Sequence, residues 1–286
     1  MLMTTAIRSV PLKPDVPELL ARARAIADIV RARVQETEAK RRIDDDVIAR
    51  MREAELFRIL QPQAYGGFEY GFDVFAELVA TIGRGCGSSA WVYGLGAVHQ
   101  WFVACFPKEA QEEFWADPGA IAAGSYAPVG KAVAADGGYR TSGVWSFASG
   151  CDNAQWYLLS TMVPPAGNAE AAKPSFLLVP REDARIDDNW HTMGLAGTGS
   201  KNIVRGGRPL RSRSSRLGDR RPSRRDQPGN AHQHQPALSS VVSFRCAGNT
   251  HRACARHGGG CTRRFRRHGE GPLDTGGSRR RESADG

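Results

Sequence analysis

The stretch that decides the fold is Pro107-Lys108-Glu109-Ala110-Gln111-Glu112-Glu113-Phe114-Trp115-Ala116-Asp117-Pro118-Gly119, because the spacing of apolar residues changes across it. Its first part predicts a helix that ends near Trp115, since Pro107 and Glu109 bring a proline and an acid to the first turn. The following Asp-Pro-Gly then stops the helical pattern. Helical spacing precedes this stretch and strand patterns follow it, so we predict a segregated α+β protein.

Before this boundary, residues 16 to 115 carry apolar side chains at helical spacing. Asp15 ahead of Pro17 is typical of a helix start. The pattern predicts further helices over about Asp45–Ala54, Phe72–Gly83 and Gly87–Phe106.

After the boundary, short apolar segments alternate with turn residues. Asp136-Gly137-Gly138 predicts a hairpin turn between strands over Lys131–Ala135 and Tyr139–Trp145. Further strands are predicted over Gln155–Val163 and Ser175–Pro180.

Composition breaks near Val204. The first 203 residues contain 14 Arg and 6 Lys against 24 acidic residues, and they hold all Trp and Tyr. The remaining 83 residues contain 19 Arg, no Lys and 6 acidic residues, so the net charge of +9 comes from this tail alone. Bulk charge would indicate nucleic-acid binding, whereas the first part has the composition of a mildly acidic enzyme domain.

Three interpretations of the tail compete: a basic nucleic-acid-binding arm, a disordered linker, and translation in a shifted reading frame. We favour the third. Arg205-Gly206-Gly207-Arg208 can be written CGT-GGA-GGA-CGT, which one base later reads Val-Glu-Asp. An Arg-only supply of positive charge, with abundant Gly, Pro and Ser, is typical of GC-rich DNA read out of frame.

The cysteines do not predict a metal site or disulfides. Those of the tail, Cys246, Cys254 and Cys261, lack the C-x-x-C pair that structural zinc sites usually contain. The other three are few and irregularly spaced, as expected for free thiols in a reducing cytoplasm: Cys86, Cys105 and Cys151. We also find no signal-peptide pattern and no apolar run long enough to span a membrane, so a cytoplasmic protein is expected.

Five motifs carry a resemblance to a known family, and they occur in the family's order: Leu60–Gly67 (LQPQAYGG), Cys86–Trp91 (CGSSAW), Gly124–Pro128 (GSYAP), Trp145–Asp152 (WSFASGCD) and Gly194–Ser200 (GLAGTGS). The first resembles the acyl-CoA dehydrogenase fold. Together they resemble the oxygenase components of two-component flavin-dependent monooxygenases. The resemblance implies an N-terminal helical domain over 1–117 and a small β-barrel domain over 118–204. The family's C-terminal helical bundle is absent, and a disordered basic tail over 205–286 replaces it.

The resemblance also implies the chemistry. Such enzymes hydroxylate phenols, including a phenolic secosteroid, with O2 and reduced FMN or FAD supplied by a separate flavin reductase. The expected partners are therefore this reductase, a small aromatic substrate and, in the intact family, three further subunits of a homotetramer. Membrane, nucleic-acid and metal partners are not expected.

Candidate site residues follow from the same motifs. Those implied to bind the cofactor are Trp91, Ser125, Tyr126, Trp145, Ser146, Phe147, Ala148 and Ser149. Candidates for the substrate pocket are His99 and Trp101. Judged from the residues alone, strand aromatics and a lone histidine on an apolar helix more often belong to the core.

No catalytic residue is assigned, because the family's catalytic His and Asp belong to the bundle; His232, His234 and His268 of the tail lie in no matching context. We therefore expect the chain as written to be inactive and to bind flavin weakly. Two alternatives stay open. An acyl-CoA dehydrogenase fragment would desaturate rather than hydroxylate, and a non-enzymatic protein with a basic arm would bind nucleic acid in a salt-dependent way.

Overall fold

The structure is a computed structural model, and it describes residues 13–135, 138–164 and 171–211. The hairpin turn predicted at 136 and 137 lies outside the described residues. So do the features predicted for the tail beyond Arg211, including its cysteines, histidines and disorder.

Helices come first in the described part of the chain. They are α1 (Val16–Ala32), α2 (Val34–Lys40), α3 (Asp45–Glu53), α4 (Phe72–Gly83), α5 (Gly87–Val103) and α6 (Lys108–Phe114). The predicted start of α1 is confirmed, since Asp15 Oδ1 accepts a hydrogen bond from Glu18 N at 2.8 Å. Short 3-10 turns occur at Leu56–Arg58 and Gln63–Tyr65.

Strands follow the helices. They are β1 (Ala122–Ala135), β2 (Gly138–Ala148), β3 (Trp156–Val163), β4 (Lys173–Pro180), β5 (Arg185–Asp187) and β6 (Lys201–Arg211). The change from helix to strand thus falls between Phe114 and Ala122, and the predicted α+β class is confirmed. The predicted hairpin is present as an antiparallel pair of β1 and β2 that closes at Ala135 and Gly138.

The described strands form one mixed sheet with the order β4-β3-β1-β2-β6-β5. β1 and β3 pair in parallel and the other neighbours are antiparallel. The sequence predicted a small β-barrel domain. In the described residues the strands of this domain form the single sheet given above, with β4 and β5 as its first and last strands. Two further 3-10 turns flank β5, at Arg181–Asp183 and Ala196–Thr198.

The larger of two apolar core clusters in the described residues joins the helices to the sheet. It extends from Leu19 of α1 through Tyr93 of α5 to Trp145 of β2 and Ile203 of β6. The three cysteines of the described residues are free thiols, as predicted. No helix in the described ranges is both long enough and apolar enough to cross a membrane.

Candidate functional site

Helix α5 presents one row of side chains toward β1. Trp91, Leu95 and His99 are spaced four residues apart, and residues at that spacing lie on the same face of a helix. Cys86 caps the start of the helix, because its Sγ accepts a hydrogen bond from Ser89 N at 3.5 Å. This row forms one wall of a cleft beside the sheet.

Two β-bulges face this wall. In β1 the register with β3 runs to Ser125–Leu159 and resumes at Gly130–Thr161, so residues 126–129 stand opposite Ser160 alone. In β2 the register with β6 jumps from Trp145–Ile203 to Ala148–Lys201, so residues 146 and 147 stand opposite Asn202 alone. Bulges redirect side chains and are common next to functional sites. Both bulges turn side chains out of the sheet toward α5.

The bulge in β2 holds the backbone of Phe147 in a strained conformation. Its φ is 62°, in the left-handed region that residues with a Cβ rarely adopt, and its ring is 69% exposed. Such a conformation costs on the order of 1–3 kcal/mol and persists only where the surroundings enforce it. A strained backbone that displays an aromatic ring to solvent marks this position as a candidate contact for a ligand.

Trp145 points the other way. Its side chain is fully buried, and its Nε1 donates to the carbonyl of Ser160 at 2.6 Å, beside the β1 bulge. A Cβ on Gly130 would lie 2.1 Å from Cζ2 of Trp145, so β1 passes directly over the indole. Trp145 therefore supports the two bulges from the core side.

The cleft enclosed by these elements has a volume of about 350 Å³. Its wall on the far side is the loop from 188 to 200, between β5 and β6. The residues that line it are Trp91, Leu95, Gly124, Ser125, Tyr126, Ala127, Ser146, Phe147, Ser149, Trp190, Leu195, Thr198 and Ser200. Trp91 is 53% exposed, and Tyr126 and Leu195 are also exposed. Large apolar side chains concentrated in a concave site are typical of a pocket for an aromatic ligand.

A line of hydroxyl groups crosses the cleft, and its hydrogen-bond directions can be assigned. Thr198 Oγ1 donates to the carbonyl of Leu195 at 2.8 Å, so in its 2.7 Å contact with Ser200 it accepts. Ser200 has then used its proton, so Ser149 donates to Ser200 at 2.7 Å. Trp91 Nε1 donates to Ser149 Oγ at 3.0 Å. Each hydroxyl carries a single proton. Toward an occupant of the cleft these hydroxyls therefore offer lone pairs.

His99 and Tyr126 form a second polar pair. His99 is fully buried, and its Nδ1 lies 2.6 Å from the carbonyl of Ala122, which only accepts; Nδ1 is therefore protonated. Nε2 then accepts from the Tyr126 hydroxyl at 2.6 Å. Burial lowers the pKa of His99 to about 4, partly offset by the bond to Ala122. Desolvation raises the pKa of the Tyr126 hydroxyl to about 12, although 42% of the residue's surface stays exposed.

The structure brings most of the predicted residues together. Six of the eight predicted cofactor residues line the cleft; the exceptions, Trp145 and Ala148, have fully buried side chains. His99 reaches the cleft only through Tyr126. Trp101 lies away from the cleft lining and packs edge-on against Phe72, with ring centroids 5.8 Å apart.

Sequence reasoning did not assign the loop wall. Leu195, Thr198 and Ser200 belong to a glycine-rich motif that was recognised as a family resemblance without a role. The signal available was the glycines themselves: a Cβ on Gly197 would lie 2.5 Å from Thr37 Cγ2, so the loop packs tightly against α2. Within the described residues, no group of three or more His, Cys, Asp or Glu side chains is placed to hold a metal ion.

Comparisons with known proteins agree with this architecture. The family model described as the N-terminal domain of acyl-CoA dehydrogenase matches residues 14–121. The oxygenase component of an FADH2-dependent resorcinol hydroxylase from Rhizobium sp. is 44% identical over 203 residues, which are 71% of this chain and 49% of that protein. The flavin-dependent monooxygenase oxygenase subunit HsaA from Rhodococcus jostii is 42% identical over 186 residues, 65% of this chain and 48% of that protein.

Solved structures give the same result. The HsaA monooxygenase from M. tuberculosis matches with a TM-score of 0.67 at 34% identity, covering 71% of this chain and 55% of that one. The chain spans about half the length of the curated relatives it matches. Residues 14–121 are therefore similar to the N-terminal domain of acyl-CoA dehydrogenase, and the described helices and sheet have an acyl-CoA dehydrogenase-like fold, similar to that of the HsaA monooxygenase.

Proposed function

We propose that this chain is the front part of an oxygenase component that hydroxylates a phenolic or other aromatic substrate with O2 and reduced flavin. A separate reductase would supply the flavin, as FMN or FAD, and the intact protein would be a homotetramer. The observation that carries the proposal is the cleft, which combines exposed aromatic rings with a line of acceptor hydroxyls. Support also comes from the similarity to named hydroxylase oxygenases.

The residues of the cleft fit a reduced flavin. The rings of Trp91 and Phe147 offer flat apolar contact. Ser149 accepts from Trp91 with one lone pair, and its other lone pair suits an N–H group at the edge of a reduced isoalloxazine. Ser125 and Ser146 add polar groups from β1 and β2, and Ser125 Oγ donates to the Ser146 carbonyl at 2.7 Å. When bound, the flavin would supply the electrons that activate O2.

Of the remaining cofactor candidates, Tyr126 contributes its ring, while the buried Trp145 and Ala148 would act by holding the bulged backbone. We assign His99 the role of orienting the Tyr126 hydroxyl. Because that hydroxyl donates to His99, its oxygen offers a lone pair to the cleft and would accept a hydrogen bond from a substrate hydroxyl. Trp101 would support this pair indirectly, since the ring of Phe102 contacts both Trp101 and Tyr126.

We also propose that residues 205–286 are read out of frame, after a helical domain over 1–117 and a β domain over 118–204. Along β6, Lys201, Ile203 and Arg205 are buried, the alternation expected of a strand with one face in the core. The side chain of Arg205 is fully buried there. With CGT as the Arg205 codon, the shifted frame places Val at this position, a residue that suits a buried strand site without a charge.

The experiment is to resequence codons 195–215 and to assay both gene products. If the shifted frame continues as a long helical domain, the repaired protein should hydroxylate phenols with a flavin reductase, reduced flavin and O2, and the chain as written should not. Desaturation of an acyl-CoA thioester by the repaired protein would favour the acyl-CoA dehydrogenase alternative instead. A shifted frame closed by stop codons, with salt-dependent DNA binding that is lost on deleting the tail, would favour the basic arm.

A further inference from the structure

We propose that four charged residues behind the cleft, Arg41, Asp152, Asp188 and Lys201, form an ionic latch that positions the loop from 188 to 200. The latch itself is independent of what the cleft binds. Its effect on ligand affinity rests on the proposed function, since a flavin is the expected occupant. None of the four residues lines the cleft.

The first half of the latch joins α2 to the loop. Arg41 follows α2 in the left-handed conformation, with φ 54°, which turns its side chain toward the start of the loop. Its Nη1 and Nη2 donate to Asp188 Oδ1 and Oδ2 at 2.5 and 2.8 Å, a two-point contact with fixed geometry. Nη1 also donates to the carbonyl of Trp190 at 3.1 Å. One guanidinium therefore holds both a side chain and the backbone of the loop.

The second half joins the other end of the loop to the sheet. Lys201, the first residue of β6, places Nζ 3.0 Å from Asp152 Oδ2 and 3.4 Å from Asp188 Oδ2. The side chains of Lys201 and Asp152 are nearly buried. Charges removed from water in this way are weakly screened, and loss of one partner leaves the others uncompensated. Asp188, the first residue of the loop, thus pairs with both Arg41 and Lys201, and Lys201 directly follows the loop.

Close packing leaves the loop little alternative position while the latch is intact. A Cβ on Gly199, whose φ is 53°, would lie 2.9 Å from both the Arg41 carbonyl and Asp152 Oδ2. The same loop carries Trp190, Leu195, Thr198 and Ser200 into the cleft. A shift at Asp188 is therefore transmitted directly to one wall of the cleft, although Arg41 lies 147 positions earlier in the sequence.

The test is hydrogen–deuterium exchange, read by mass spectrometry, of the 188–200 amides in the full chain and in its Arg41→Gln variant. We expect these amides to exchange at least about fivefold faster in Arg41→Gln, corresponding to the loss of about 1 kcal/mol of local stability. The matched control is Arg33→Gln. Arg33 also neighbours α2 and is 25% exposed against 27% for Arg41. Its ion-pair partners, Glu36, Asp44 and Asp46, are not residues of the loop.

A second variant, Asp188→Asn, should reproduce the effect, and Arg41→Lys should restore part of the protection because it keeps the charge but not the two-point contact. Unchanged exchange of the loop in both Arg41→Gln and Asp188→Asn refutes the latch. Anaerobic titration with reduced FMN then tests the coupling: where wild type and control bind, Arg41→Gln should bind at least about fivefold more weakly. Faster exchange with no FMN binding by any variant supports the latch and agrees with the weak flavin binding expected of the chain as written. The same titration on the repaired, in-frame protein then tests the proposed function, and absence of FMN binding there counts against it.

Discussion

Replacing Arg205 by Val should stabilise the protein, although it removes an ion pair. The Arg205 side chain is fully buried, and its Nη1 donates to the Asp183 carbonyl at 3.1 Å and lies 3.6 Å from Asp183 Oδ2. Asp183 is one-third exposed, so its carboxylate can be solvated after the substitution. The variant therefore does not leave a buried charge without a partner, which is the usual reason that breaking an ion pair is destabilising.

The magnitude follows from opposing contributions. Burying a guanidinium costs several kcal/mol, and Val relieves that cost. Against this, the hydrogen bond to the Asp183 carbonyl contributes about 1 kcal/mol, the other contacts of the guanidinium together about 1 kcal/mol, and the smaller side chain leaves a cavity worth about 1 kcal/mol. We expect a net gain of about 1–2 kcal/mol. For roughly 200 folded residues this raises Tm by about 3–6 °C.

The assay is thermal unfolding followed by circular dichroism, with urea unfolding at 25 °C for the free energy. Arg185→Val is the matched control, because it makes the same change on β5, where the Arg185 side chain is 66% exposed; its effect should stay within about 0.5 kcal/mol. A loss of about 3 kcal/mol or more in Arg205→Val would refute the reasoning. It would show that Arg205 is an integral member of the sheet and would remove the structural support for a shifted frame.

Three further predictions concern the cleft. Because the pKa of His99 is lowered to about 4 against about 6.5 unfolded, its contribution to stability is complete above pH 6.5 and is lost as pH falls toward 4. Between pH 7 and 5 the free energy of unfolding of the wild type should therefore fall by about 2 kcal/mol more than that of His99→Gln. An NMR titration of His99 with a midpoint above pH 6 would contradict this. Ser149→Ala removes the acceptor of the Trp91 indole, so tryptophan emission should shift to longer wavelength, with no shift in the exposed-site control Ser142→Ala. Trp145→Phe leaves the Ser160 carbonyl without its indole donor and should cost about 2–4 kcal/mol in urea unfolding; a cost below about 1 kcal/mol would argue against Trp145 as the support of the bulges.

Regular elements were predictable from sequence because their periodicity is local. The bounds predicted for α4, Phe72–Gly83, are those observed, and α5 ends three residues before the predicted Phe106. β1 was predicted only from Lys131, whereas it begins at Ala122. The missing half contains the bulge at 126–129, and a bulge interrupts the two-residue alternation from which a strand is recognised.

The same cause limits prediction of the cleft. Simple alternation would put Phe147 on the same face as Trp145, yet the bulge leaves Trp145 buried and Phe147 exposed. Motif resemblance therefore located the segment without distinguishing the side chains that face the cleft from those that face the core. The position of the loop over 188–200 depends on contacts such as that between Arg41 and Asp188, which are 147 positions apart. No local sequence pattern predicts such a pair.

The end of β6 shows that main-chain pairing at a sheet edge places few demands on the identity of the side chains. β5 covers only residues 202–204 of β6, so from 205 onward β6 pairs with β2 alone, and Arg140 stands opposite Pro209, which has no N–H to donate. The hydrogen bonds between strands are made by main-chain groups, so they do not depend on which reading frame supplies the side chains. A wrong side chain is unfavourable chiefly where it enters the core; among the described side chains beyond Val204, that is Arg205. A shifted reading frame would therefore leave the main-chain pairing of β6 with β2 possible while placing Arg205 in the core as a buried mismatch.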